Sequence, residues 1–400
     1  MSQELSSIIT KLSNEYFEQT IQIRQHLHQN PELSFKEFYT ANYVEKALKE
    51  IGFTDIKRIA GTGVIALLHP SSAQAKVIGL RADLDALPIQ ETNKVDYKSQ
   101  NAGVMHACGH DVHTAILLTV AKIFFNIKDK ITGNIKFIFQ PGEELLPGGA
   151  SLLIKEGVLE NPEVNCLIAQ HVTPQISSGK IGFKKGLFMA STDELYLTIK
   201  GKGGHAAMPQ TYINPLLIAS NIIAKLHQFF MIEKAENEHK IPTVIAFGKI
   251  VGNGATNVIP DEVHLAGTFR TLDENWRKKS HQLIKKIVAE VCNEMNGSCE
   301  VNIVYGYPCL VNDEKVTDSC INTAKNIIGA ENVIDLDYRM TAEDFAYFSQ
   351  SKPVCFYRLG TGNNSKNTEI NVHNSNFNID EDVLKFAPAV MVQMALDLMN

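Results

Sequence analysis

The hydrophobic pattern of this chain changes near residue 188 and changes back near residue 308. Before residue 188, short apolar runs alternate with stretches of helical periodicity. Ile135–Phe139 (Ile-Lys-Phe-Ile-Phe) is the most compact run and reads as a buried strand. Val64–Leu68, Val77–Leu80 and Cys166–Ala169 read as further strands. Residues 4–28, 37–51, Asp111–Asn126 and Ser151–Glu156 read as helices, with Pro31 and Gly52 closing the first two. Strands alternating with helices imply an α/β sandwich on a mostly parallel sheet.

Inside the interval the texture differs. Asp193–Lys200 alternates polar and apolar residues, as a half-exposed strand does. A helix over Pro215–Phe230, strands over Thr243–Val251 and Glu262–Arg270, a helix over Asn275–Met295 and a strand over Cys299–Tyr305 follow. This order is that of a ferredoxin-like α+β unit. The α/β texture returns after Pro308. The expected organisation is a discontinuous first domain, 1–187 and 308–400, carrying an inserted domain, 188–307. Two domains also suit 400 residues, too many for one ordinary core.

Bulk properties remove some function classes. A net charge of −6 offers no basic field for nucleic acid. The first ten residues lack the basic and apolar regions of a signal peptide. No stretch approaches the roughly 18 apolar residues of a membrane span, so a cytoplasmic, non-membrane protein is expected. Seven cysteines without a CxxC pair argue for a reducing compartment and against a disulfide framework.

One segment concentrates chemistry. Met105-His-Ala-Cys-Gly-His-Asp-Val-His113 places three histidines, a cysteine and an aspartate within a few positions. Thiolate and imidazole are preferred ligands of zinc and related metals. Gly109 lets the backbone bend so that Cys108 and His110 reach one site, and Asp111 is expected to cap the following helix. Gln140-Pro-Gly-Glu-Glu144 follows the Ile135–Phe139 run. Carboxylates at the end of a buried strand stand where open α/β sheets bind ligands. One can ligate a metal while its neighbour moves protons; a solvated turn is the other reading.

His171, read as the end of the Cys166–Ala169 strand, and His373, in Asn371-Val-His-Asn374, are weaker candidates, each also readable as a surface histidine. Asp83 and Asp85, in Arg81-Ala-Asp-Leu-Asp-Ala-Leu-Pro88, can hold a metal, orient a ligating histidine or simply form a turn. In the inserted domain, His205 lies in a glycine-rich turn, and Asn257 and Arg270 are polar residues available to a substrate. Arginine suits a bidentate grip on a carboxylate. Turn chemistry and surface charge explain the same three residues.

Taken in order, His26–Phe35, Arg81–Pro88, Met105–His113, Pro141–Glu144, Gly201–Pro209, Asn257–Pro260, Gly267–Thr271 and Ala342–Phe345 resemble the amidohydrolase branch of the aminoacylase and carboxypeptidase-type dinuclear metallopeptidases. Hippurate hydrolases and auxin-conjugate hydrolases belong to that branch. The resemblance implies two divalent metal ions, manganese or zinc with cobalt or nickel as alternatives, held by Cys108, His110, Glu144, His171 and His373. It makes Glu143 the general base and His205 the oxyanion donor, in its own or a partner's active site. Asn257 and Arg270 would hold a substrate carboxylate, and Asp83 and Asp85 would support the ligands without touching metal. It also implies a small-molecule N-acyl amino acid substrate and a homodimer or higher homo-oligomer formed through the inserted lid domain. A dipeptidase and an N-acetyl-diaminopimelate deacetylase share these motifs. A catalytically dead binding module has no chemical reason to keep the base and all five ligand candidates, and zinc fingers are excluded by spacing.

Overall fold

The computed structural model describes residues 3–69, 75–232 and 241–399. Two compact units emerge: Met1–Gly186 with Val311–Asp337 and Asp344–Asn400, and Leu187–Leu310 with Tyr338–Glu343. The short excursion Tyr338–Glu343 into the smaller unit has no counterpart in the boundaries read from sequence, because six residues carry no periodicity of their own.

The larger unit is an eight-stranded sheet. From edge to edge its strands are Ile56–Ile59, Gly63–Leu68, Asn134–Gln140, Val77–Asp83, Cys166–Ser177, Val354–Gly362, Ile181–Phe183 and Val333–Asp335. The four central strands are mutually parallel, so their carboxyl ends lie along one side, where such sheets bind ligands. Val77–Asp83 and Asn134–Gln140 are buried throughout. Lys136 is tolerated in the latter because its Nζ donates to Val158 O, Glu160 O and Pro162 O at 2.8, 2.8 and 3.0 Å. Helices Phe38–Ile51, His110–Asn126 and Ala387–Met399 bury Val44, Ile116, Leu117, Val390 and Met394 against the apolar core.

Four expectations for this unit need correction. Residues 4–28 form two helices, Gln3–Glu15 and Phe17–Gln29, interrupted at Tyr16. Thr20 Oγ1 donates back to Tyr16 O at 2.9 Å, an interaction that bends helices. The strand from Cys166 runs on to Ser177, because buried Gln170 and His171 stay in the parallel ladder opposite Tyr357 and Arg358. His171 therefore lies within a strand, not at its end. Asp111 does not cap: the helix starts at His110, after Gly109 in left-handed conformation, φ +83°. The Asp111 carboxylate instead accepts from Arg24 Nε and His28 Nδ1, both at 2.9 Å.

The smaller unit is a four-stranded antiparallel sheet in the order Thr243–Val251, Glu262–Thr271, Ser191–Lys200, Ser298–Tyr305, with helices Pro215–His227 and Glu274–Glu294. This is the ferredoxin-like arrangement. Leu195, Leu197 and Ile199 point into its core with Ile218, Ile222, Ile284 and Val288. Pro215–Ile232 is an 18-residue helical stretch of mean hydropathy 1.3 that meets the length and composition of a membrane span, contrary to the reading that no stretch approaches one. Its Ile218, Ile222, Leu226 and Phe230 face the core of the unit.

Candidate metal centre

The carboxyl ends of the parallel strands gather the larger unit's site residues. Asp83 closes the strand Val77–Asp83, Glu143 and Glu144 follow Asn134–Gln140, and His171 sits in Cys166–Ser177. Cys108 and His110 flank Gly109, where a Cβ would collide with Val172 Cγ2. The glycine thus serves both the left-handed turn and a close approach to the His171 strand. His373 arrives from the C-terminal segment with φ +62°, a rare conformation for a non-glycine residue. Its backbone N–H donates to Ala107 O at 2.7 Å, which ties it to the Cys108 loop.

The histidine nitrogens are sorted by their partners. His110 Nδ1 donates to Asp85 O at 2.8 Å and lies 3.2 Å from Asp85 Oδ1. His171 Nδ1 donates to Val172 O at 2.7 Å. In both rings Nδ1 is occupied and Nε2 is turned to the site, the usual arrangement of a ligating imidazole. His171 Nε2 stands 3.3 Å from Cys108 Sγ. His373 Nε2 stands 3.1 Å from Glu144 Oε1. Asp85 Oδ2 accepts from Ser34 Oγ at 2.6 Å and from Glu144 N at 3.0 Å, so one carboxylate supports both His110 and Glu144.

A cation fits these atoms. Among the described residues, buried His110 Nε2 and Glu144 Oε1 make no well-directed hydrogen bond, and each unmet buried polar atom carries a cost. The sets Cys108/His110/His171, Cys108/Glu144/His373 and His110/Glu143/Glu144 each bring their donor atoms within 4.8 Å of one another. Cys108, His110 and Glu144 each belong to two of these sets, so the donors form one connected cluster. The donors are sulfur, imidazole and carboxylate, which suits zinc or manganese.

The charge balance points the same way. Burial, then the Glu144 and Glu143 carboxylates, push the Cys108 thiol well above its ordinary range. Burial pushes His110 down, but Asp83 and Asp85 outweigh it and hold it up at about 10, so without a cation its Nε2 carries a proton that a bound ion would displace. Burial, then Arg358 and His113, hold His171 well below its ordinary range, so its ring is neutral. Burial pushes Asp83 up, but His110, Arg81 and His113 outweigh it and hold it well below its ordinary range. Excess negative charge around a neutral imidazole and a thiol is compensated by a positive ion.

Sequence reading missed the supports. Arg81, fully buried, donates to Asp83 Oδ2 at 2.5 Å, to Gln140 Oε1 at 2.9 Å and to Asp344 Oδ1 at 2.8 Å. Asp344 N in turn donates to Glu143 Oε1 at 3.4 Å. Arg24 joins Asp111 to Asn378 and Glu381, downstream of His373. Arg81 and His28 were visible only as members of family motifs; apart from Asp83, their partners lie far away in the chain.

His205, Asn257 and Arg270 belong to the smaller unit. His205 pairs with Val258 in a two-stranded ribbon, and Ala206 N donates to Asn257 O at 3.0 Å, so the first two are neighbours. Arg270 Nη1 donates to Met340 O at 3.1 Å.

The sequence profile of peptidase family M20/M25/M40 matches residues 79–397. The chain is 36% identical over 400 residues to thermostable carboxypeptidase 2 of Saccharolobus solfataricus, covering 98% of this chain and 99% of that one. It is 40% identical over 306 residues to the N-acyl-L-amino acid amidohydrolase of Geobacillus stearothermophilus, covering 76% and 80%. A dinuclear metal-binding M20 peptidase of Bacillus subtilis superposes with a TM-score of 0.82 at 28% identity, covering 96% of this chain and 98% of that one. The motifs, the fold and these matches agree: the chain belongs to peptidase family M20/M25/M40 and is a hydrolase.

Proposed function

We propose that this hydrolase cleaves the amide bond of N-acyl amino acids, such as hippurate or N-acetyl conjugates, releasing a carboxylic acid and a free amino acid. The observation that carries the reading is Glu143 clustered with Glu144 and with buried His110 Nε2, which has no hydrogen-bond partner among the described residues. The likeness to an N-acyl-L-amino acid amidohydrolase supports the substrate class.

In this reading Cys108, His110, Glu144, His171 and His373 hold two divalent ions, manganese or zinc. Bound ions supply Lewis-acid polarisation of the carbonyl and a water acidic enough to attack near neutral pH. Glu143 takes the proton of the attacking water and returns it to the departing amine nitrogen. Asp83 and Asp85 hold the ligands in place. His205 is assigned to the developing oxyanion, and Asn257 and Arg270 to the substrate carboxylate, on their chemistry and the family resemblance. The protein is placed in the cytoplasm, where a chain with seven cysteines and no disulfide among its described residues is at home. A homo-oligomer through the smaller unit is supported by Leu217, Ile232 and Ile250, each more than half exposed; a monomer by light scattering would overturn it.

The deciding experiment is a substrate panel of hippurate, N-acetyl amino acids, N-acetyl-diaminopimelate and dipeptides, each with manganese, zinc, cobalt and nickel. Turnover of the N-acyl amino acids is expected. Cleavage of dipeptides alone would favour the second reading, a dipeptidase, which the likeness to a carboxypeptidase supports.

A further inference from the structure

His113 is the third histidine of the Met105–His113 segment, and the reaction described above does not use it. It lies in the first turn of the helix His110–Asn126 and is buried. With Asp83 and His110 it forms a group whose donor atoms lie within 4.8 Å of one another, so by position it passes for a metal ligand. Its hydrogen bonds say otherwise. Val172 N donates to His113 Nε2 at 3.0 Å, and His113 Nδ1 donates to Asp83 Oδ1 at 2.6 Å. The backbone N–H can only donate, so Nε2 must accept and Nδ1 must carry the proton. Neither nitrogen has a lone pair left for an ion.

Val172 is where these bonds matter. It follows His171, its carbonyl accepts from His171 Nδ1 at 2.7 Å, and its side chain packs on Gly109. A chain of contacts therefore runs from Asp83 through His113 and the Val172 backbone to the His171 ring. It ends at His171 Nε2, 3.3 Å from Cys108 Sγ. Asp83 is itself held by Arg81. A ligating imidazole depends on such outer partners for its tautomer and aim.

We propose that His113 is a positioning residue: it grips the Val172 amide so that His171 Nε2 points at Cys108, and it ligates no metal itself. The inference rests on the metal-centre reading above. Two variants separate its two bonds. His113→Gln places an oxygen near the former Nε2 and keeps the acceptor for Val172 N–H. His113→Asn keeps a donor toward Asp83 but is too short to reach Val172.

The test uses the full chain and two readouts. The first is hydrogen exchange of the Val172 amide in chelator-treated protein. The second is cobalt stoichiometry and affinity, with the thiolate-to-cobalt absorption band reporting the Cys108 contact. His113→Asn is expected to speed Val172 exchange and weaken cobalt binding by about 10–100-fold. His113→Gln is expected to keep wild-type exchange and both ions. Loss of an ion in His113→Gln would make His113 a ligand and overturn the proposal, as would wild-type behaviour of His113→Asn. If the wild-type chain took up no cobalt, the metal reading itself would fall, while Val172 exchange would still decide whether His113 holds that amide.

Discussion

Asp193 in the smaller unit and Asp83 in the larger are both buried carboxylates held by an arginine and a histidine, yet their surroundings are finished differently. Asp193 Oδ1 accepts from Arg277 Nη2 and Gly306 N, and Oδ2 accepts from Arg277 Nε and His281 Nε2. All four acceptor positions are filled, and His281 Nδ1 is the one side-chain nitrogen of that trio without a partner among the described residues. Around Asp83 the network stays open. His110 Nε2 stands 3.8 Å from Asp83 Oδ2 and 4.0 Å from Glu143 Oε2, too far for a hydrogen bond to either. Glu144 Oε1 faces His373 Nε2 at 3.1 Å without a well-directed hydrogen bond. A closed buried network holds a fold; one that leaves donor atoms converging without well-directed bonds leaves room for something else to complete it.

The comparison can be broken at its largest effect by removing metal. Dialysis against a chelator is expected to abolish turnover, and manganese or zinc to restore it. Amide exchange should rise around residues 105–113 and 172 and stay unchanged around Asp193. Full activity in metal-free protein would remove the ground for treating the open network as a metal centre. Next comes Glu143→Ala, expected to lower kcat by about 10²–10⁴-fold while two ions remain bound. Retained turnover with intact metal content would move the base elsewhere.

The closed network is probed by Asp193→Ala, which strands Arg277 and His281 without their shared carboxylate. A loss of about 3–5 kcal/mol in unfolding free energy is expected, with unchanged metal content; a change below 1 kcal/mol would show that the cluster is dispensable. Its pH dependence has a defined sign. Burial pushes the Asp193 carboxyl up, but His281 and Arg277 outweigh it and hold it below the ordinary 3.8. Its stabilisation is therefore present above that value and lost as pH falls through the folded pKa. The smallest effect is that of Asp85→Asn. The amide puts an N–H where Asp85 Oδ2 accepts from Glu144 N or where Oδ1 faces His110 Nδ1, and metal affinity should drop by about 10–100-fold. Unchanged affinity would show that the Asp85 backbone carbonyl alone orients His110.

Cys108 and His110 stood out as candidates because their ligand types crowd into one short segment, and Glu143 and Glu144 because they follow a compact buried strand. His171 and His373 were not legible alone. Each is a single histidine in ordinary surroundings, and only the parallel sheet and the left-handed turn at His373 bring them to the same place. The strand Cys166–Ser177 was read too short because a polar stretch looks like a strand end until its partner strand is known. Asp111 was misread for a related reason: at a helix start an aspartate is expected to cap, and nothing local shows that Arg24 and His28 claim it.

The amino-acid sequence by itself determined where most helices and strands before residue 306 lie and which donor chemistries are available. Those follow from periodicity and residue type, which are local. Only the tertiary structure decided what each histidine does. The two nitrogens of an imidazole are indistinguishable in a sequence, and their roles depend on which acceptor or donor the fold sets beside them. The Asp85 and Val172 carbonyls occupy Nδ1 of His110 and His171 and turn Nε2 toward the candidate metal centre. The Val172 amide occupies Nε2 of His113.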